Sequence, residues 1–238
     1  MEGSSSPEHT LRAYDEELDA ITAQLARMGG LAEAEVADSV RAIVKRDVKL
    51  AESVIGGDAK LDATELEIER KAIRLIALRQ PVADDLRRIV GAMKISTNLE
   101  RCGDLAKNIA KRALVIADSD PVTPLTGSIE GMGELVIGRL KDVLDALGAR
   151  DVDRAVAVWS QDHEVDEHYD AIFRELLTYM MADPRTITAC AHLLFVAKNL
   201  ERIGDHATNI AEILHYEITG VELTEDRPKS DALEAYGR

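Results

Sequence analysis

The chain has 238 residues, 46% hydrophobic but only 3% aromatic, and a formal charge of -15. That length buries a sizeable core in one large or two ordinary domains, and the acidity excludes nucleic acid, whose binding needs Lys and Arg on phosphates. Ala, Leu, Ile, Val, Glu and Arg dominate and only six prolines interrupt them, which predicts an all-α fold.

Residues 1 to about 8 are Ser-rich, read as disordered, and lack the basic and apolar regions of a signal peptide. Leu11, Tyr14, Leu18, Ile21, Leu25 and Met28 then recur at helical spacing up to Gly29-Gly30, a pair expected to end or bend the helix. A second run spans Leu31 to Ile55, with Val36, Val40, Val44, Val48 and Val54 in its stripe. The sequence GGD at Gly56 to Asp58 closes it and opens a helix to about Leu78. Pro81 makes the next break, and Asp84 and Asp85 stand near the start of a long helix reaching about Ala117.

Asp118 to Ser128 holds two prolines and reads as a linker. Helices follow over about Ile129 to Leu147, Val152 to Ser160 and Asp162 to Met181. After the break at DPR, a final helix reaches about Thr219. The predicted architecture is two tandem, pseudo-symmetric three-helix bundles, residues 9–117 and 129–219, joined by a linker at 118–128 and followed by a polar tail at 220–238. The longest apolar stretch, Ile187 to Ala197, is too short to span a bilayer and contains His192, so no integral membrane segment is expected. Cys102 and Cys190 form no CxxC pair and read as buried thiols of a reducing compartment. A cytoplasmic protein is the expectation.

The order of helices repeats, and so does a charged pattern within it. NLERCGDLAKNIA (Asn98 to Ala110) and NLERIGDHATNIA (Asn199 to Ala211) agree at ten of thirteen positions, at a constant offset of 101. DAKLD (Asp58 to Asp62) corresponds to DHEVD (Asp162 to Asp166) at an offset of 104. At about 100° per residue, Glu100, Asp104 and Asn108 share a sector of roughly 80° on their helix. Glu201, Asp205, Asn209 and Glu212 do the same on theirs, and Asp58 and Asp62, like Asp162 and Asp166, align on the preceding helices.

Like charges at this spacing destabilise a helix by about 0.2–0.5 kcal/mol per pair, so facing ladders of acids call for something to offset them. Carboxylates with amide carbonyls suit hard or borderline cations. A solvated acidic face neutralised by Arg101 and Arg202 would account for each ladder alone. His206, one residue beyond Asp205, falls off the acidic sector and reads as a packing residue, and His163 and His168 read as surface residues. Gly103 and Gly204, each one residue before an Asp, suggest close approach of a backbone, a bound species or a tightly packed helix.

QPVADDLRRI (Gln80 to Ile89), NLERCGD and NLERIGDHATNIAE together closely resemble the PhoU family of phosphate-signalling regulators, over about Leu11 to Thr219. DEELDAITAQLARMGG and RDVKLAESVIGGDAKLD fit the same family. The resemblance implies two three-helix bundles side by side and multinuclear clusters of iron, zinc, manganese or magnesium held by E/D-x-x-x-D motifs. Residue by residue it carries over to Glu100, Asp104, Glu201 and Asp205, and to Asp58, Asp62, Asp162 and Asp166. The second unit departs from the first: Asp183 to Thr188 lacks Q-P-x-A-x-D-L-R, and Tyr169 stands where Glu65 does, so the two sites are expected to differ. The implied role is to hold phosphate-starvation genes off, linking the phosphate ABC transporter, through its ATPase subunit, to the sensor histidine kinase. A homodimer is the expected assembly, and Arg79 to Arg88 is a candidate partner surface.

No Ser-His-Asp or Cys-His arrangement, Walker-A loop or G-x-G-x-x-G occurs, so an enzyme is not expected. A carboxylate-bridged metalloenzyme would show a Glu-x-x-His motif on each of two helices of a four-helix core, whereas a single such spacing, Glu212 to His215, occurs here. A metal-free helical scaffold is the remaining alternative.

Overall fold

A computed structural model describes residues 7–117 and 123–223. Its helices are α1 (Pro7–Lys45), α2 (Val48–Gly57), α3 (Ala59–Arg79), α4 (Ala83–Ala117), α5 (Thr123–Ala149), α6 (Val152–Ser160), α7 (His163–Ala182) and α8 (Ile187–Thr219), with a 3₁₀ turn at Pro184–Thr186. The fold is all-helical. One unit is built on α1, α3 and α4, the other on α5, α7 and α8, with α2 and α6 as short arms. The units meet where α4 packs along α8 and α1 along α5. Residues 118–122 of the expected linker, the first six residues and 224–238 of the expected tail lie outside the described residues, and α5 already begins at Thr123, ahead of Ile129.

The Gly29-Gly30 pair does not end the first helix, which continues through it to Lys45. Leu18, Ile21, Leu25, Met28, Ala32, Val36, Val40 and Ile43 are all buried, so one apolar stripe runs through the glycines and into the second run. A Cβ on Gly29 would lie 2.5 Å from Leu144 Cδ2 of α5, so the glycine admits a neighbouring helix. Burial of the stripe outweighs the cost of about 1 kcal/mol that a helical glycine carries relative to Ala.

The real break is at Arg46-Asp47. Arg46 is left-handed (φ 53°), and Asp47 caps α2 by accepting from the Leu50 amide at 3.0 Å. The second unit repeats the device, with Arg150 at φ 53° and Asp151 accepting from the Arg154 amide at 3.0 Å. Each arginine then ties down the end of a long helix. Arg46 donates to the Ile116 and Ala117 carbonyls at 2.6 and 2.9 Å, satisfying the last turn of α4. Arg150 pairs with the buried Glu217 carboxylate of α8 at 2.6 Å.

Candidate metal centres

Both acidic motifs lie midway along α4 and α8, whose inner stripes hold them in register. Leu99, Cys102, Ala106, Ile109 and Ala113 are buried on α4, as are Leu200, Ile203, Ala207, Ile210 and Leu214 on α8. Close packing of α3 on α4 and of α7 on α8 explains the two motif glycines. A Cβ on Gly103 would lie 2.4 Å from Leu61 Cδ1, and one on Gly204 3.2 Å from Val165 Cγ1. Asp58 and Asp162 are buried at the starts of α3 and α7, leaving Asp62 and Asp166 one turn on.

In the second unit Asp162, Asp166, Glu201, Asp205 and Asn209 line one cavity of about 460 Å³, together with Arg202 and His206. Thr208 donates to Asp162 at 2.7 Å, and Lys198 to Glu201 Oε1 at 2.7 Å, while Glu201 Oε2 is enclosed with no hydrogen-bond partner. Glu212, which the helical wheel groups with these residues, instead accepts from the Trp159 indole at 3.0 Å.

In the first unit Lys107 forms an ion pair with Asp58 and stands 4.0 Å from Asp104. Arg101 lies 3.5 Å from both Glu100 and Asp104. Burial, then Asp104, pushes the Glu100 carboxyl up to about 6, and burial, then Asp58, raises that of Asp62. Asn108 is exposed.

Three residues outside the expected set belong to these sites. Glu35 of α1 reaches the first: its Oε2 is enclosed without a partner, 3.4 Å from where a Cβ on Gly103 would be. Burial, then Asp58 and Asp62, pushes its carboxyl up to about 7. Lys107 is the second. His206 is the third, because the packing role expected for it is only half of its environment. It lines the acidic cavity and its Nδ1 lies 2.9 Å from Asn98 Oδ1 of α4, bridging the units. Burial, then Arg202 and Arg101, lowers its pKa, which favours the neutral ring. Of the histidines expected at the surface, His168 is exposed, whereas His163 is half-buried with Nδ1 enclosed and unpartnered.

The donor set is almost all oxygen, and the enclosed oxygens of Glu35 and Glu201 lack partners. That chemistry fits hard or borderline cations. Among the described residues no group of three or more His, Cys, Asp and Glu side chains is placed to hold one metal ion, and Lys107, Arg101 and Lys198 occupy several of the carboxylates.

The PhoU domain family model matches residues 25–113 and again 129–214. The chain is 67% identical to the "Phosphate-specific transport system accessory protein PhoU homolog" of Caulobacter vibrioides (strain NA1000 / CB15N), over 95% of this chain and 98% of that protein. It is 51% identical to the homolog of Rhizobium meliloti (strain 1021), over 96% and 97%. The crystal structure of PhoU from Pseudomonas aeruginosa superposes with a TM-score of 0.84 at 37% identity, covering 87% of this chain and all (100%) of that one. The phosphate transport system regulatory protein PhoU from Streptococcus pneumoniae does so with a TM-score of 0.82 at 28% identity, covering 89% and 100%. No described helix is long and apolar enough to cross a membrane. With both halves matched, relatives aligned nearly end to end and the same fold in solved members, the chain belongs to the PhoU family, a family of accessory regulators rather than enzymes.

Proposed function

We propose that this protein is a cytoplasmic negative regulator of the phosphate-starvation response. It acts as an adaptor between the phosphate ABC transporter, through its ATPase subunit, and a sensor histidine kinase. Its two units, divided at the linker, each carry a carboxylate site for metal ions, of which iron, zinc, manganese and magnesium suit the donors. A homodimer is part of this reading. The observation that carries it is the placement of both E-R-x-G-D copies on adjacent helices, α4 and α8, with Asn98 and His206 joining them.

Asp58, Asp62, Glu100, Asp104 and Asn108 would hold cations in the first unit. Asp162, Asp166, Glu201, Asp205 and Asn209 would hold them in the second. A bound cation supplies positive charge that neutralises the ladders and ties α3 to α4 and α7 to α8. Lys107, Arg101 and Lys198 supply part of that charge in its absence, and they must yield when it binds. Those ion pairs favour the second reading, a metal-free scaffold whose acids are neutralised internally.

The test is phosphatase-reporter activity in phosphate-rich cells lacking the gene, with wild type or the Glu201→Ala/Asp205→Ala variant restored. Deletion is expected to switch the reporter on and wild type to silence it. Failure of the variant at normal protein level would place the acidic face inside the mechanism, and a variant as good as wild type would favour the scaffold. A reporter silent after deletion would sink the regulator reading.

A further inference from the structure

From α1 and α5 through the starts of α3 and α7 the two units keep one register, a sequence offset of 104. Arg46-Asp47 pairs with Arg150-Asp151, and Asp58 with Asp162. Carried back along the first helices, that register pairs Glu35 with Arg139. The two have opposite charge at the same place in the fold, and their partners on the next helix are inverted too. Lys60 is among the cations acting on Glu35, while Arg139 forms an ion pair with Glu164, the equivalent of Lys60.

The contrast continues atom by atom. Glu35 sends its carboxylate into the gap between the start of α3 and the middle of α4. Its Oε1 lies 2.9 Å from where a Cβ on Gly57 would stand, one residue before Asp58, and its Oε2 lies 3.4 Å from the corresponding point on Gly103, one residue before Asp104. Oε2 has no hydrogen-bond partner and no exposure to water. A buried acceptor left so costs about 1–3 kcal/mol, so it calls for a donor or a cation. Arg139 is held at 11% exposure by its own carboxylate partner and offers no acceptor at all.

We propose that Glu35 is a cation ligand of the first site, supplied by α1, and that the second site, with Arg139 in that place, binds the same cation more weakly. This assignment rests on the cation-binding reading above. Cation affinity at oxygen sites rises with the number of charged ligands, and a guanidinium at the position equivalent to Glu35, paired with Glu164, supplies no such ligand and carries a charge that opposes another cation. Lys107 works against the first site through Asp58, but its ammonium is on a flexible stem and 29% exposed, so an entering cation displaces it into water.

The experiment is calorimetric titration of the full chain with Mn²⁺ in two single-site proteins. Glu201→Ala/Asp205→Ala leaves the first site and Glu100→Ala/Asp104→Ala leaves the second. The first-site protein is expected to bind Mn²⁺ at least about tenfold more tightly than the second-site protein, and adding Glu35→Gln is expected to weaken it about 10–100-fold. Glu35→Gln added to the second-site protein should change nothing. Glu35→Asp, which keeps the charge on a shorter stem, should weaken the first site less than Glu35→Gln does. The Mn²⁺ electron paramagnetic resonance signal of the bound fraction gives an independent readout, and circular dichroism establishes that each variant is folded. First-site affinity unmoved by Glu35→Gln, or equal affinities at the two sites, overturns the assignment of Glu35 while leaving cation binding intact. Absence of Mn²⁺ binding by both single-site proteins overturns both readings.

Discussion

Gly29 of α1 lies directly against Leu144 of α5, leaving no room for a Cβ. The contact has a twin. Gly133 of α5 would meet Val40 Cγ1 of α1 at 2.6 Å with a Cβ, and both partners differ from the first pair by 104 residues. The α1–α5 junction is therefore a pseudo-two-fold crossing in which each helix offers a glycine groove to an aliphatic ridge of the other. A duplicated chain reaches this arrangement by making one contact serve twice.

Adjacent glycines should then respond in opposite directions. Gly29→Val forces branched methyls into Leu144 and should destabilise the protein by about 1–3 kcal/mol. Nothing lies within 4 Å of a Cβ on Gly30, so Gly30→Ala should stabilise by up to about 1 kcal/mol, the helix-propensity difference alone. Urea unfolding midpoints read both. A stable Gly29→Val protein would refute the close crossing.

Arg46 trades backbone strain for the satisfaction of α4. A non-glycine residue at φ 53° costs of order 1 kcal/mol, and the two carbonyl bonds from its guanidinium offset that cost. Arg46→Ala keeps the strain and loses the bonds, so it should destabilise by about 1–2 kcal/mol. Amide hydrogen exchange should quicken first in the last turn of α4. Uniform quickening along the helix would contradict a local capping role.

Much of this was legible in the sequence because duplication writes it twice. Copies offset by 101 exposed α4 and α8, and 3.6-residue periodicity put Glu201, Asp205 and Asn209 together, where they share one cavity. Gly29-Gly30 misled because local propensity argues for a break, whereas the stripe from Leu18 to Ile43 buries straight through it. Glu35 belongs to no motif, since one acid on α1 is visible only once α1 is laid against α3 and α4. His206 stands off the acidic sector of its own helix and enters the cavity with Asn98 of the other unit beside it. A single helix's periodicity carries no such information.

In the metal-free protein the Glu35 and Glu100 carboxyls should subtract from stability as pH rises toward neutrality. Folded Glu35 titrates at about 7 and Glu100 at about 6, both above the ordinary value of 4.5. Between about 4.5 and 7 these two carboxyls hold more protons in the folded than in the unfolded state, so their contribution to the unfolding free energy falls with pH across that window, while the lowered pKa values of His206 and His192 act in the opposite direction. Glu35→Gln removes the larger shift. With chelator present, the urea midpoint of wild type should fall relative to that of Glu35→Gln across this window. Identical profiles would mean that the Glu35 carboxyl is not held in this environment.

Lys107 occupies the place of a cation, and its removal should expose the demand. Asp58 is 4% exposed and Lys107 is its ion-pair partner. Lys107→Met keeps the aliphatic stem and removes the charge. Stripping a partner from a fully buried pair costs about 3–5 kcal/mol, and because Lys107 is 29% exposed the expected loss is smaller, about 1–3 kcal/mol. Excess Mn²⁺ should then raise the melting temperature of Lys107→Met by more than that of wild type, because the ion enters without displacing an ammonium. An equal rise in the two proteins would mean that Lys107 and the cation do not compete for Asp58. The comparison therefore separates a lysine that blocks the site from one that merely neutralises it.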